Sequence, residues 1–532
     1  MKNFDYFGVM IDCSRNAVPS VSGLKKFFDI ISKMGYNCAM LYTEDTYEVE
    51  NEPFFGYKRG RYSAAELREL DDYAAEKGIE LIPCIQTLAH LNAIFRWKEY
   101  DKIRDIDDIL ALDLDRTYEL IENMLCSVSK NIRSRKLHIG MDEAHNIGLG
   151  KYLDRNGFGD RYELLLKHLN KVCEMAKKHG YETLMWNDMF FRLMKNGDYR
   201  VDEIVDFPAE ITEKIPKDCT MVYWDYYGNN RKIYDSMITS TKKLSRDIWF
   251  AGGAWIWGGF MPHHSYSAFR NSLAIPACIE GGVRNAIFTM WGDDGGECPY
   301  FSALSMLMHA SAVAEGISEE EMKARFREIT GEEYDAFREL ELPNFVYGPN
   351  ITIGSANYCK NRLYDDPFLG IVSGNTENSQ VNASFFAGYA KLLYGRAKES
   401  KSFSYLFENA AALSECLEVK IHLYERTRAL YSAQDKAGLL SLAENEYTEC
   451  IARVEKFHRA FRKQWYTVNK TYGFEVQDTR LGGLIQRLKS CRDRLLDYAS
   501  GVIISIDELE ENTEKYPDGN VPYVKTVSAN IM

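Results

Sequence analysis

Eight short apolar runs recur along the first 300 or so residues, each the length of a strand covered on both faces. They are residues 4–12 (FDYFGVMID), 37–45 (NCAMLYTED), 79–85 (IELIPCI), 136–140 (KLHIG), 181–186 (YETLMW), 220–224 (TMVYW), 248–255 (IWFAGGAW) and 285–291 (NAIFTMW). Helix patterns lie between them at 22–34, 64–77, 116–131 and 162–179; in the first, Leu24, Phe27, Phe28 and Ile31 share a face. Gly35, Gly78 and Gly180 stand just past three of these helices, where a chain leaves a helix most easily. Eight strands with intervening helices over about 300 residues predict an α/β fold, a (β/α)8 TIM barrel. An open doubly wound sheet is the alternative. The stretch 187–218 is poor in helix pattern and is the weakest unit.

After Tyr300 the character changes. Helical periodicity at 301–314 and 319–330 gives way, beyond about residue 340, to a long irregular stretch with Pro and Gly. Amphipathic helices follow at 385–398, 408–431, 443–465 and 481–499. In the third, Tyr447, Ile451, Val454, His458, Phe461 and Trp465 keep helical spacing. These patterns predict a barrel over 1–340 and an all-α C-terminal domain over 341–532. The aromatic stripe reads first as core. An aromatic face left exposed there would either pair two copies into a homodimer or cap the barrel, and the sequence leaves both open.

A chain of 532 residues accommodates a barrel and a smaller domain. Its formal charge of −13 argues against nucleic acid or an anionic membrane as partner, and is silent about neutral ligands such as sugars. Twelve cysteines are scattered singly, some in apolar runs (Cys38, Cys84), with no C-x-x-C pair. That spacing predicts free thiols in a reducing compartment, not a disulfide frame or zinc site. The start, MKNFDYFGVMID, has acids at Asp5 and Asp12 and too short an apolar run for a signal peptide. No apolar segment reaches transmembrane length. The expectation is a cytoplasmic protein with no membrane contact, no metal and no cofactor.

Polar and aromatic residues collect at the C-terminal ends of the strands, where barrels of this kind carry their sites. In chain order they are Arg15, Glu44 and Asp45, His90, Asp142 and Glu143, Trp186 to Asp188, Trp224 to Tyr226, Trp255 and Trp257, and Trp291 to Asp294. Five of the eight tryptophans lie on this rim. One rim tryptophan is filler; five beside polar partners suit the apolar face of a pyranose, with Arg and carboxylates for its hydroxyls. The centre is KLHIGMDEAH, residues 136–145. Glycosidic cleavage needs two carboxyls, one to donate a proton and one to manage charge at the sugar carbon. Successive strand residues face opposite sides, so Asp142 and Glu143 reach one pocket only if the strand ends near Met141 and the chain turns. Three rival readings are a metal site from His138, Asp142, Glu143 and His145, a retaining glycosidase with an enzymic carboxylate nucleophile, and a non-catalytic sugar-binding barrel.

The segment HIGMDEAH resembles the catalytic signature of glycoside hydrolase family 20, the exo-β-N-acetylhexosaminidases: His/Asn-x-Gly-x-Asp-Glu after the fourth barrel strand. Over residues 4–300, IDCSR, QTLAHL, YWDYY and TMWGDDGGE resemble further stations of that family. The resemblance implies catalytic roles for Asp142, Glu143 and Tyr226. It implies substrate contacts from Arg15, His90, Trp186, Trp224, Trp257 and Trp291, and from one acid among Asp293, Asp294 and Glu297, with Asp294 favoured. It also implies hydrolysis of terminal non-reducing β-linked GlcNAc or GalNAc from an oligosaccharide, with retention. The substrate's own acetamide oxygen would attack the anomeric carbon. Glu143 would then serve as acid and base, Asp142 would orient the acetamide, and Tyr226 would hydrogen-bond its oxygen. With no α+β domain before the barrel and helices after it, the chain looks like the compact bacterial subgroup.

Overall fold

In a computed structural model of the protein, which describes residues 2–346, 358–375 and 382–514, the eight apolar runs are eight parallel strands. They are β1 (Tyr6–Asp12), β2 (Cys38–Tyr42), β3 (Glu80–Cys84), β4 (Lys136–His138), β5 (Glu182–Trp186), β6 (Cys219–Trp224), β7 (Ile248–Gly253) and β8 (Asn285–Met290). Each pairs with the next, and β8 returns to β1 with Tyr6 opposite Asn285 and Ile11 opposite Met290. The sheet is closed, which excludes the open doubly wound alternative. Strand residues sort into two buried sets, as a period of two requires. Met10, Met40, Ile82, Leu184, Val222, Ala251 and Ile287 fill the lumen, while neighbours such as Val9, Ile11, Leu41, Met185 and Phe288 pack under the helices. The lumen set continues upward into Tyr42, Trp186, Tyr226, Trp257 and Trp291. The barrel core thus becomes the floor of a pocket.

Helices Val21–Lys33, Ala64–Glu76, Asp115–Asn131, Arg161–Lys178, Arg231–Thr241 and His264–Glu280 surround the strands. Local chemistry starts them. Ser63 and Glu66 form a reciprocal cap, Glu66 N donating to Ser63 Oγ (3.2 Å) and Ser63 N to Glu66 Oε2 (2.8 Å). Between β5 and β6 there are only the short helices Asp188–Met194 and Ala209–Thr212, in line with the weak pattern there.

The C-terminal part is helical, with Ala383–Glu399, Ser404–Lys420, Thr448–Val468 and Phe474–Ser500 as its long members. The single helix expected over 408–431 is two, Ser404–Lys420 and Leu423–Ser432. Where they part, buried Lys420 turns inward to donate to the Asp365 carbonyl. The expected irregular stretch holds the short helices Tyr358–Tyr364 and Ile371–Asn375, and residues 347–357 and 376–381 lie outside the described residues. The helices dock on the barrel rather than trailing from it. Phe260 meets Phe457 and Phe461 edge-on (5.1 and 5.6 Å), Lys470 N donates to Val18 O (2.7 Å), and one apolar cluster runs through both parts. All twelve cysteines are free thiols. Among the described residues no helix is long and apolar enough to cross a membrane.

Strand β4 stops at His138 because the chain turns at Gly140 (φ +72°) and Met141 (φ +71°), both left-handed. A Cβ at Gly140 would lie 2.0 Å from Gln86 Oε1 and 3.0 Å from the Ile85 carbonyl. Gly140→Ala should therefore cost about 1–2 kcal/mol from the left-handed backbone alone, and more from displacing Gln86. Urea unfolding measures the loss; an unchanged midpoint would contradict this account of the turn.

Candidate active site

The turn delivers two carboxylates to one end of the barrel in different settings. Asp142 is buried: Oδ1 accepts from Gln86 Nε2 (2.7 Å) and Oδ2 lies 3.2 Å from His90 Nε2. At that distance the imidazole and the carboxylate form an ion pair. Glu143 follows in a left-handed conformation (φ +50°), with a side chain 39% exposed. Its Oε1 accepts from Arg192 NH2 (3.2 Å), its Oε2 lies 3.8 Å from His90 Nε2, and its backbone N donates to Asp188 Oδ2 (3.1 Å). Left-handed non-glycine residues cost energy and persist where the surroundings impose them, often at functional sites. Here they turn two neighbours into one pocket.

The pocket is a cleft open at its mouth, with about 460 Å³ of empty space when the solvent at that mouth is included. Its walls are Arg15, His90, Asp142, Glu143, Trp186, Trp224, Tyr226, Tyr227, Trp257, Trp291 and Asp293. Aromatic rings from β5 to β8 close one side. Tyr226 stacks on Trp224 (5.4 Å) and meets Trp257 edge-on (5.3 Å), Trp186 lies 6.2 Å from Trp291, and Trp255 backs Trp257 at 4.1 Å. Buried Asp225 shapes the turn that presents Tyr226 and Tyr227, accepting from the backbone of Tyr227 (2.8 Å) and Gly228 (2.9 Å). Charge closes the other side. Arg15 lies over the rings of Tyr42 (4.9 Å) and Trp291 (5.1 Å), with Asp12 at 3.2 Å, Glu44 at 3.5 Å and Asp293 at 3.8 Å.

Burial opposes charge on Asp142, but the His90 cation and the Gln86 hydrogen bond outweigh it and hold the carboxyl below its ordinary range. Burial likewise opposes charge on His90, and the Asp142 carboxylate overturns that, raising the imidazole to about 10. Asp188, wholly buried, is pushed up by burial and then by the Asp142 charge, with Arg192 (Nε to Oδ2, 2.9 Å) pulling the other way. His138 is buried beside Trp186 and lowered by burial to about 3; its Nδ1 accepts from Gly140 N (3.1 Å). It holds the turn. Among the described residues no three His, Cys, Asp or Glu side chains group so as to hold a metal ion.

Of the ten residues to which the resemblance gave catalytic or substrate contacts with Asp294 as the favoured acid, nine line this pocket. Asp294 is the exception. Its carboxylate turns away to Lys360 (2.7 Å) and Arg480 (3.0 Å), which satisfy it outside the pocket, and Asp293 is the acid facing in. Sequence reasoning passed over Gln86, Arg192 and Tyr227. Gln86 stands two residues past Cys84 and so shares its inward face, and Arg192 is four residues from Asp188 on one short helix; these were the available signals.

Residues 4–238 match the catalytic-domain model of glycosyl hydrolase family 20, and residues 322–526 match the glycoside hydrolase 20C C-terminal domain. The chain belongs to glycoside hydrolase family 20. It is similar to Hexosaminidase D of Bos taurus (22% identical over 298 residues, 54% of this chain and 78% of that protein). It is also similar to Hexosaminidase D of Homo sapiens (24% over 224 residues, 40% of this chain and 43% of that protein), so the match spans under half of the human relative. Among solved structures, the Flavobacterium johnsoniae chitobiase aligns with a TM-score of 0.47 at 15% identity, covering 87% of this chain and 78% of that one.

The His90–Asp142 pair gives a signed expectation. A raised imidazole stabilises the fold fully below its unfolded value of roughly 6.5, and this contribution is lost as pH rises through about 10. Ring ¹⁵N shifts, assigned with His90→Asn, should show His90 doubly protonated at pH 8. A singly protonated ring at pH 7 would refute the ion pair.

Proposed function

We propose that this family 20 chain is an exo-β-N-acetylhexosaminidase that removes terminal non-reducing β-linked GlcNAc or GalNAc with retention, the substrate's acetamide acting as nucleophile. The carrying observation is the contrast between neighbouring acids. Asp142 is buried among aromatic rings and paired with His90, so it stays anionic; Glu143 stands at the mouth, reachable by a leaving group. An anion fixed inside the pocket stabilises positive charge that develops on the acetamide nitrogen as its oxygen closes on the anomeric carbon. Tyr226 offers its hydroxyl to that oxygen, and Trp186, Trp224, Trp257 and Trp291 exclude water while the ring forms. Glu143 donates a proton to the departing oxygen, then takes one from the incoming water. Arg15, His90 and Asp293 remain for the sugar's hydroxyls. We further infer a cytoplasmic enzyme, supported by its free thiols, with residues 1–340 as the catalytic barrel and 341–532 as its helical partner.

Two measurements test this reading. Glu143→Gln should lose roughly 10²–10⁴-fold on substrates with poor leaving groups and far less on activated aryl glycosides, whereas Asp142→Asn should hurt both alike. Equal losses in Glu143→Gln would remove the acid–base role. Rates should also fall steeply as the 2-acyl group is fluorinated, because fluorine drains the attacking oxygen, and a thiazoline mimic of the cyclic intermediate should inhibit strongly. Comparable rates on β-Glc and β-GlcNAc, or a sugar trapped covalently on a carboxylate, would assign the nucleophile to the protein.

A further inference from the structure

The loop after β8 carries adjacent acids that face opposite ways: Asp293 lines the pocket and Asp294 does not. The backbone that separates them is unusual. Asp294 (φ +62°), Gly295 (φ +119°) and Gly296 (φ +62°) are three consecutive left-handed residues. Glycine takes such angles freely; aspartate does so at a cost and needs outside restraint.

That restraint comes from the C-terminal helices. Lys360, on Tyr358–Tyr364, places Nζ 2.7 Å from Asp294 Oδ2, 3.1 Å from the Asp294 carbonyl and 2.6 Å from Glu297 Oε2. Arg480, on Phe474–Ser500, donates from NH2 to Asp294 Oδ1 (3.0 Å) and from NH1 to the Asp294 carbonyl (2.7 Å) and Glu297 Oε1 (2.9 Å). Gln477 Nε2, one helical turn before Arg480, donates to the Gly295 carbonyl (3.2 Å). Two cations thus grip two carboxylates, each carboxylate touching both cations. The Lys360 and Glu297 side chains are fully buried, so neither charge has water to fall back on. The loop fits closely against this grip, since a Cβ at Gly295 would lie 2.7 Å from Arg480 NH1.

A staple between two parts of a fold needs only side chains. This one also holds the main-chain carbonyls of Asp294 and Gly295, the two residues after Asp293. On the other side, Gly292 N donates to Asp12 Oδ2 (2.9 Å), and the Asp293 carbonyl accepts from Gly258 N (2.9 Å). Asp293 is therefore pinned before and after, and its carboxylate points into the pocket toward Arg15.

We propose that Lys360 and Arg480 are positioning residues for the sugar: the helical C-terminal part holds the β8 loop in the left-handed turn that aims Asp293 at a hydroxyl of the bound residue. This rests on the hexosaminidase reading above. The helices then shape the pocket without touching substrate, and Asp294 and Glu297 serve the same end as the loop's handles.

The test is a kinetic double-mutant cycle on an aryl β-GlcNAc and an aryl β-GalNAc, using the full chain. Arg480→Met and Asp293→Asn should each lower kcat/KM by roughly 10- to 100-fold, with KM carrying more of the loss than kcat. The double variant should be no worse than the worse single, because Arg480 acts through Asp293; Arg480→Lys should recover part of the loss. Thermal melts accompany each variant, and if Arg480→Met does not fold, Asp294→Asn takes its place in the cycle with the same expectation. Losses that multiply across the two sites, or a folded loop variant with wild-type KM, would overturn the proposal. An inactive wild-type chain on both substrates would instead fell the hexosaminidase reading on which it rests.

Discussion

A carboxylate buried under aromatic rings ordinarily gives up its charge, and this site depends on one that does not. Asp142 keeps its charge because His90 stands against one oxygen and Gln86 donates to the other. Gln86 in turn links three strand ends, since the same Nε2 donates to the Tyr42 hydroxyl (2.9 Å) and Oε1 accepts from Met141 N (3.2 Å). Register explains the meeting. Tyr42 pairs with Cys84, and Cys84 pairs with His138, so these residues are level on β2, β3 and β4. Gln86 and Gly140 each lie two residues further on, at one level and on one face. The side chain of the first fills the space where a side chain on the second would stand.

From that fixed anion the charges alternate outward. His90 lies between Asp142 and Glu143, and Arg192 between Glu143 and Asp188. Asp188 opens the short helix after β5 and Arg192 sits one turn later, so a sequence poor in helix still supplies the seven residues needed to set them together. The arrangement separates the two acids by environment rather than by distance along the chain. One is enclosed with a cation and a neutral amide; the other is shared between a guanidinium and solvent. Neighbouring residues thereby occupy different electrostatic settings, which a symmetrical pair at the same depth would lack.

Much of this was legible in the amino-acid sequence, and what was not has a physical reason. Strands covered on both faces must be apolar throughout, so all eight were visible, and the tryptophans at their ends marked the rim. The Asp142–Glu143 pair stood out because a glycine and a strand precede it. Asp293 and Asp294 could not be told apart, because which one faces inward is decided by Lys360 and Arg480, 66 and 186 residues away from Asp294. Adjacent acids in a loop carry no periodicity to rank them. Gln86 was overlooked for a similar reason: an amide has no motif, and its importance lies in what strand register brings beside it. The break at residues 421–422 of the helical part is likewise set by a long-range contact, Lys420 on the Asp365 carbonyl.

The division of the pocket wall follows the strand order and bears on how a sugar would lie in it. Rings come from the ends of β5, β6, β7 and β8, and charged groups from the loops after β1, β3, β4 and β8. Because β8 adjoins β1, the two halves meet at the β8 loop, where Trp291 and Asp293 are two residues apart and both contact Arg15. A pyranose has the same division, with apolar C–H faces and a polar hydroxyl edge. On the hexosaminidase reading, its edge turns toward Arg15 and Asp293 and its acetamide toward Asp142 and Tyr226. The junction at β8 is then where ring face and hydroxyl edge must be registered together, since a shift of this one loop would move a stacking surface and a hydrogen-bond acceptor at once. That is a physical reason for a buried cluster of two cations and two carboxylates between barrel and helices to sit directly behind that loop.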